Sequence, residues 1–161
     1  MRKLPLLALF LAAGCGEEGG RPQNESRAAS QPAPVPVQTA TLTGLYENGS
    51  TPPSQLCITE QGRDARFGLV IRRNGRPGCA GAGTAARDGA TLRLTMTGDS
   101  ACAIEAHIDG GRVTFPAGMP SGCSYYCAPG IVMGGTRFDK TGGTRQDAAR
   151  ARDVVGDPLC A

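Results

Sequence analysis

The sequence predicts a mainly β domain: a small antiparallel meander that closes into a barrel or a sandwich, braced by disulfides and followed by one short C-terminal helix. Three observations carry this reading. From Thr41 onward, apolar residues recur with period two in short runs. A turn signal separates almost every run from the next. Six cysteines, Cys57, Cys79, Cys102, Cys123, Cys127 and Cys160, lie in the same region, an even number that suits three disulfides.

Thr41–Glu47 reads as the first strand, and the Gly- and Pro-containing run 48–54 as a loop. Leu56-Cys57-Ile58 begins a second strand. Phe67, Leu69 and Ile71 alternate with Gly68, Val70 and Arg72, giving a third with a clear apolar face. Asn74-Gly75 predicts a tight hairpin, because both central positions of that turn want positive φ. Cys79–Ala86, rich in Ala and Gly, is the fourth strand, and Asp88-Gly89 turns it. Leu92, Leu94 and Met96 then alternate with Arg93, Thr95 and Thr97, the clearest strand in the chain. Gly98-Asp99 turns into Cys102–Ile108, whose Cys102, Ile104, Ala106 and Ile108 share one face. Asp109-Gly110-Gly111 leads to Val113 and Phe115. Seven strands with open edges invite edge-to-edge pairing, so they should close on themselves. After Pro116 the pattern fades, and Ile131-Val132-Met133 offers one further strand.

The end of the chain changes period. Thr144-Arg-Gln-Asp147 has the form of a helix cap, with Thr144 as N-cap and Asp147 near the positive end of the helix dipole. Ala148, Ala151, Val154 and Val155 supply a narrow apolar stripe, Gly156 suits the position after the helix, and Pro158 stops it. A helix over 145–155 is expected.

With no Trp and only Tyr46, Tyr125, Tyr126, Phe67, Phe115 and Phe138 aromatic beyond residue 40, the core is thin in large rings. The disulfides are therefore expected to hold it, and reduction to unfold it. Cys57 and Cys79 lie about one hairpin apart, and Cys123 follows Cys102 after one strand and a loop. That leaves Cys127 for Cys160, so of the fifteen pairings that six cysteines allow, all open to the sequence, the expected set is Cys57–Cys79, Cys102–Cys123 and Cys127–Cys160. Metal binding is disfavoured: there is no Cys-x-x-Cys pair and only one histidine.

The N-terminus carries an address. Met1-Arg2-Lys3 precedes the apolar run Leu4–Ala13, which is too short to span a bilayer, where about 20 apolar residues are needed. Leu11-Ala12-Ala13-Gly14-Cys15 resembles the lipobox of bacterial lipoproteins. The resemblance implies a signal peptide over 1–14, diacylglyceryl attachment to the Cys15 thiol, cleavage before it and acylation of the new amino terminus. Several acyl chains, at about 0.8 kcal/mol per buried methylene, anchor firmly. Residues 15–40 then form a polar, Pro-containing tether, expected to stay disordered and to reach roughly 80 Å when stretched. Gly16 is not the Asp that often retains such lipoproteins in the inner membrane, so the resemblance favours the outer membrane, with the β domain 41–161 in the periplasm. That compartment is oxidising, as the cysteines require. Removing Arg2 and Lys3 leaves 15 basic residues against 14 acidic ones, a mature charge of +1 in place of +3. This is no footprint for nucleic acid. The expected partners are the membrane, through the lipid, and a protein of the envelope.

Constellations for chemistry are sparse. His107 and Glu105 lie two apart on one strand face, opposite Cys102 and Ile104, and so face solvent with no nucleophile or metal beside them. Gly81-Ala-Gly83-Thr-Ala-Ala86 mimics a dinucleotide fingerprint, but a turn and a strand follow where a helix is required; small residues here suit close strand approach. No Gly-x-Ser-x-Gly elbow occurs. Arg72, Arg73 and Arg76 form a basic cluster around the Asn-Gly turn, read as a solvated hairpin tip in preference to a site for an anionic partner. The sequence thus points away from an enzyme, toward a non-enzymatic binding or structural module of the envelope, and names no cofactor. Ser121-Gly-Cys-Ser-Tyr125 resembles the Ser-Gly-x-x-Tyr motif of membrane-bound lysozyme inhibitors, small β-barrel lipoproteins of the bacterial envelope. That resemblance would make Ser121 and Tyr125 contacts in a lysozyme cleft, with Lys140 as a second basic contact. The preferred reading of these residues is a disulfide-braced loop whose tyrosines pack on the barrel, with the inhibitor resemblance as the alternative.

Overall fold

A computed structural model describes residues 40–160, which belong to one compact unit. The N-terminal apolar run, Cys15 and the tether up to residue 39 lie outside the described residues. Eight strands form a closed antiparallel barrel in chain order: β1 (Gly44–Glu47), β2 (Gln55–Gln61), β3 (Asp64–Arg73), β4 (Arg76–Asp88), β5 (Thr91–Met96), β6 (Ala103–Asp109), β7 (Arg112–Thr114) and β8 (Arg137–Gly142). Of the two closures left open by the sequence, the chain adopts the barrel. β1 pairs with both β2 and β8, which removes the exposed edges.

The period-two pattern fills the interior. Leu56 and Ile58, Phe67, Leu69 and Ile71, Leu92 and Leu94, Ile104 and Ala106, Val113 and Phe138 are buried in one cluster. Phe115 meets Phe138 edge to face, 5.5 Å between centroids. The Asn74-Gly75 turn has φ of 51° and 76°, as its tight geometry demands. The Ala- and Gly-rich β4 is the strand that lets its neighbours in. A Cβ on Gly83 would collide with the Thr95 carbonyl oxygen of β5 and approach the Phe67 ring of β3.

A smaller apolar cluster lies outside the barrel wall, where Leu45 and Cys57 meet Ala148, Ala151, Leu159 and Cys160. The C-terminal segment is a strap over this face. It begins with a helix, α1 (Arg145–Ala148), opened by a full capping box: Thr144 Oγ1 accepts from Asp147 N, and Asp147 accepts from Thr144 N. The helix is much shorter than 145–155. Asp153 Oδ1 accepts from both Val155 N and Asp157 N, and Gly156 has φ of 97°, so the side chain captures the backbone in a turn in place of a helix. The chain doubles back, bridging Arg152 to Pro158 and leaving Val154 and Val155 exposed.

Two further expectations are corrected. The eighth strand is Arg137–Gly142, not Ile131–Met133, which is irregular. The disulfides are Cys57–Cys160, Cys79–Cys127 and Cys102–Cys123. Cys102–Cys123 is as expected; Cys57–Cys79 and Cys127–Cys160 are not formed. The reason is the pleat: Leu56 and Ile58 point inward, so Cys57 between them points outward to the strap, while Cys79 belongs to the interior cluster. With β3 also between them, Cys57 and Cys79 cannot meet.

Candidate functional site: the long connection that caps one barrel end

Strand order fixes which loops share an end. The turns β2–β3, β4–β5 and β6–β7 lie with the start of β1. The connections β1–β2, β3–β4, β5–β6 and β7–β8 lie at the opposite end. The β7–β8 connection, 115–136, is by far the longest, and connections beyond about 12–15 residues are usually functional or unstructured. This one is structured. Phe115 N donates to Thr136 O and Gly135 N to Pro116 O, so its two ends continue the β7–β8 ladder before splaying apart. Ser121–Tyr126 forms a 3-10 helix, and Ala128 N donates to Gly78 O of β4 at 2.7 Å. Cys123 is bonded to Cys102 at the foot of β6, and Cys127 to Cys79 in β4. Met133 is buried in the barrel core, closing this end.

Between the 3-10 helix and the irregular run Ile131–Met133 lies a mainly apolar cleft of about 250 Å³, walled by Met119, Pro120, Ser121, Ile131, Val132 and Met133. Ser121 is exposed, and its carbonyl accepts from Ser124 Oγ. The adjacent tyrosines part company. Tyr126 packs on the core and donates to Thr97 O at 3.2 Å, whereas Tyr125 is 86% exposed. The expectation that both tyrosines pack on the barrel thus fails for Tyr125. Val132 is 66% exposed beside the cleft. Arg73 Nη2 reaches Val132 O at 3.4 Å, so the β3–β4 hairpin tip borders the cleft.

Lys140 is not part of this constellation. It lies at the other end of the barrel, where Nζ donates to Thr41 O at 2.7 Å and sits 5.4 Å from the centroid of the Tyr46 ring. Burial pushes its pKa down, against the opposing pull of Glu60. Tyr46 is buried, donates to Leu42 O, and is pushed up to about 12 by burial and then by the Glu60 charge. Burial also pushes Glu60 up, but hydrogen bonds from Thr41 and Thr43 outweigh it and hold the carboxyl below its ordinary value. These groups fasten the entry of the chain into the barrel.

His107 and Glu105 are exposed on the outer face of β6, as their alternation predicts. Glu105 is ion-paired with Arg93 at 3.0 Å; His107 flanks the exposed Arg112–Asp139 pair on a shallow polar surface. Among the described residues, no His, Cys, Asp or Glu group has the arrangement to hold a metal ion. Val132 and Met119 do not stand out in the sequence as site residues, whereas Arg73 belongs to the basic hairpin cluster already noted. The available signal was three consecutive apolar residues, Ile131–Met133, inside a Gly- and Pro-punctuated stretch. Comparison with protein-family models, with characterised proteins and with solved structures finds no match for this chain.

Proposed function

We propose that this chain is an envelope-anchored bacterial lipoprotein whose barrel is a non-enzymatic binding module, with 115–136 as its recognition segment. The observation that carries the binding reading is Tyr125, 86% exposed on a 3-10 helix whose segment is cross-linked twice to the barrel. A large side chain held out by a rigid support loses little entropy on binding, and tyrosine is enriched among interface anchors. The anchor reading rests on Leu11–Cys15, and the three disulfides suit an oxidising compartment. In this reading the acyl chains of Cys15 sit in the outer membrane, and the domain faces the periplasm and meets a protein there. The described chain enters the barrel at the end opposite the cleft.

Two measurements test this. Cys15→Ser should move the protein from a salt-washed membrane fraction to the soluble envelope fraction; retention on the membrane would remove the anchor. A photo-crosslinking residue at position 125 should give one discrete envelope adduct, and the same residue at 107 none. Equal labelling at both positions would remove the recognition segment.

A second reading, a lysozyme inhibitor, is favoured by Ser121 and Tyr125 standing exposed on one braced segment. It lacks Lys140 as a partner contact. Micromolar inhibition of lysozyme that Tyr125→Ala abolishes would support it, and no inhibition at that concentration would dismiss it.

A further inference from the structure

We propose that the cleft end of the barrel takes an acidic peptide segment of a protein partner: one apolar side chain enters the cleft while neighbouring carboxylates meet Arg73 and Arg76. The inference rests on 115–136 being the recognition segment and adds the chemistry of what it recognises.

The charge distribution points this way. The chain carries no acidic residue from 65 to 87 or from 110 to 138, the stretches that supply the β3–β4 hairpin and the β7–β8 connection. The same stretches place Arg72, Arg73, Arg76 and Arg137 at this end. None of the ion pairs among the described residues uses these four arginines. The carboxylates toward this end are engaged locally: Glu47 accepts from Gln55 and Thr141, its register partner Asp139 pairs with Arg112, and Asp99 accepts from Ala101 N in its own turn. A domain of almost balanced charge has therefore segregated a positive, unpaired patch onto one end. Such a patch raises the local concentration of anionic partners, and guanidinium groups match carboxylates in two-pronged geometry.

The apolar and basic parts are continuous. Ile131 lines both the apolar cleft and a second depression formed by Arg73, Asn74, Arg76 and Pro77. Its Cγ2 also lies where a Cβ on Gly78 would come within 2.8 Å, so glycine at 78 seats the connection against the basic hairpin. The shape decides between partner classes. A lipid surface is met by protruding apolar groups, whereas a concavity of about 250 Å³ accepts an inserted side chain. Exposed tyrosine, a small apolar pocket and flanking arginines together are the composition of a protein–peptide contact.

The test uses the full lipidated chain in neutral detergent and three fluorescein-labelled peptides of equal length. One has a central Leu flanked by Asp and Glu, the second replaces the acids by Lys, and the third replaces Leu by Gly. The first should bind at least about tenfold tighter than either control, with affinity falling as salt shortens the screening length. Arg73→Glu with Arg76→Glu should cost about tenfold or more at unchanged melting temperature. Equal binding of the acidic and basic peptides, or no binding at millimolar peptide, would overturn the proposal. If both peptides bind equally and Val132→Asp abolishes both, the acid preference falls while the recognition segment stands. Acidic-peptide binding that survives Val132→Asp but not the charge reversal would instead remove 115–136 as the recognition segment. A Cys15→Ser chain that ignores the peptide but sediments with phosphatidylglycerol vesicles through Arg73 and Arg76 would overturn it in favour of a lipid surface.

Discussion

Gly83 and Gly81 differ in what stands opposite them, and the difference gives a residue-scale prediction. A methyl group on Gly83 would run into the Thr95 carbonyl oxygen, part of the neighbouring strand's backbone, which cannot yield without moving β5. A methyl on Gly81 would meet only side-chain atoms, Met96 Sδ at 2.7 Å and Tyr126 Cδ1 at 3.2 Å, which can give way without moving a strand. Gly83→Ala should therefore lower the unfolding free energy by about 2–3 kcal/mol and Gly81→Ala by less than about 1 kcal/mol. Urea titration of both variants checks this; equal costs would mean that β4 and β5 are not held at the observed separation. Residues of this kind were legible only in outline. The small side chains of β4 announce close approach, but which glycine faces backbone and which faces a thioether depends on register. The site residues behave likewise. Ser121 and Tyr125 stood out by their motif, but nothing in the local sequence tells Tyr125 from Tyr126. One ring packs and the other protrudes because the cross-links at Cys123 and Cys127 fix how the segment lies on the barrel.

At the scale of elements, alternation and turn dipeptides mark seven strands in order: the longer ones bury several apolar residues, and the short β7, with only Val113 buried, is announced by the Asp109-Gly110-Gly111 turn before it. β8 escaped because only Phe138 of its six residues is buried, so Arg-Phe-Asp-Lys-Thr-Gly carries almost no periodic signal. Its partners on both sides, β7 and β1, define it. The apolar run Ile131–Met133 drew the strand reading because it caps the barrel and walls the cleft, a task that also needs apolar residues. The C-terminal strap was mistaken for a longer helix because Ala148 and Ala151 keep helical spacing on the buried side. What holds the strap is testable. Gly68 of β3 faces it, and a Cβ there would lie 2.5 Å from Leu159 Cγ and 2.6 Å from Leu159 O. Gly68→Ala should lift Leu159 from its seat while Cys57–Cys160 stays bonded. Overpacking of about 1–3 kcal/mol corresponds to roughly tenfold or more in local opening. Trypsin should then cut after the exposed Arg150 and Arg152 at least about tenfold faster than in the unaltered chain. An unchanged cutting rate would show that the disulfide alone holds the strap.

For the whole molecule, the disulfide pattern changes what reduction should do. A thin core held together by its cross-links would unfold at once, and that is what the sequence suggests. In the structure each disulfide instead joins a barrel strand or its foot to a segment outside the barrel: Cys79 and Cys102 to the long connection, and Cys57 to the strap. No disulfide ties one strand to another. The barrel has its own closed hydrogen-bonded ladder, and the strands supply most of its interior cluster, with Phe115, Cys123 and Met133 of the long connection completing it at one end. The cross-links still act on the unfolded chain. Loops closed over separations of 21, 48 and 103 residues stabilise by about 3–5 kcal/mol each in the chain-entropy estimate, the longest by the most. Reduction should thus cost stability globally while releasing the appended segments first. After reduction in native buffer, hydrogen exchange should show early loss of amide protection in 116–136 and 149–160. Protection in β2 to β5 should outlast that in 116–136, and be lost at a lower denaturant midpoint than in the oxidised protein. Binding at the cleft should vanish in the first phase, because the recognition segment has lost both cross-links while the barrel beneath it still stands. Simultaneous loss of protection in β2 to β5 and in 116–136 would mean that the barrel is not independent of its braces, and that the cleft and its scaffold form one cooperative unit.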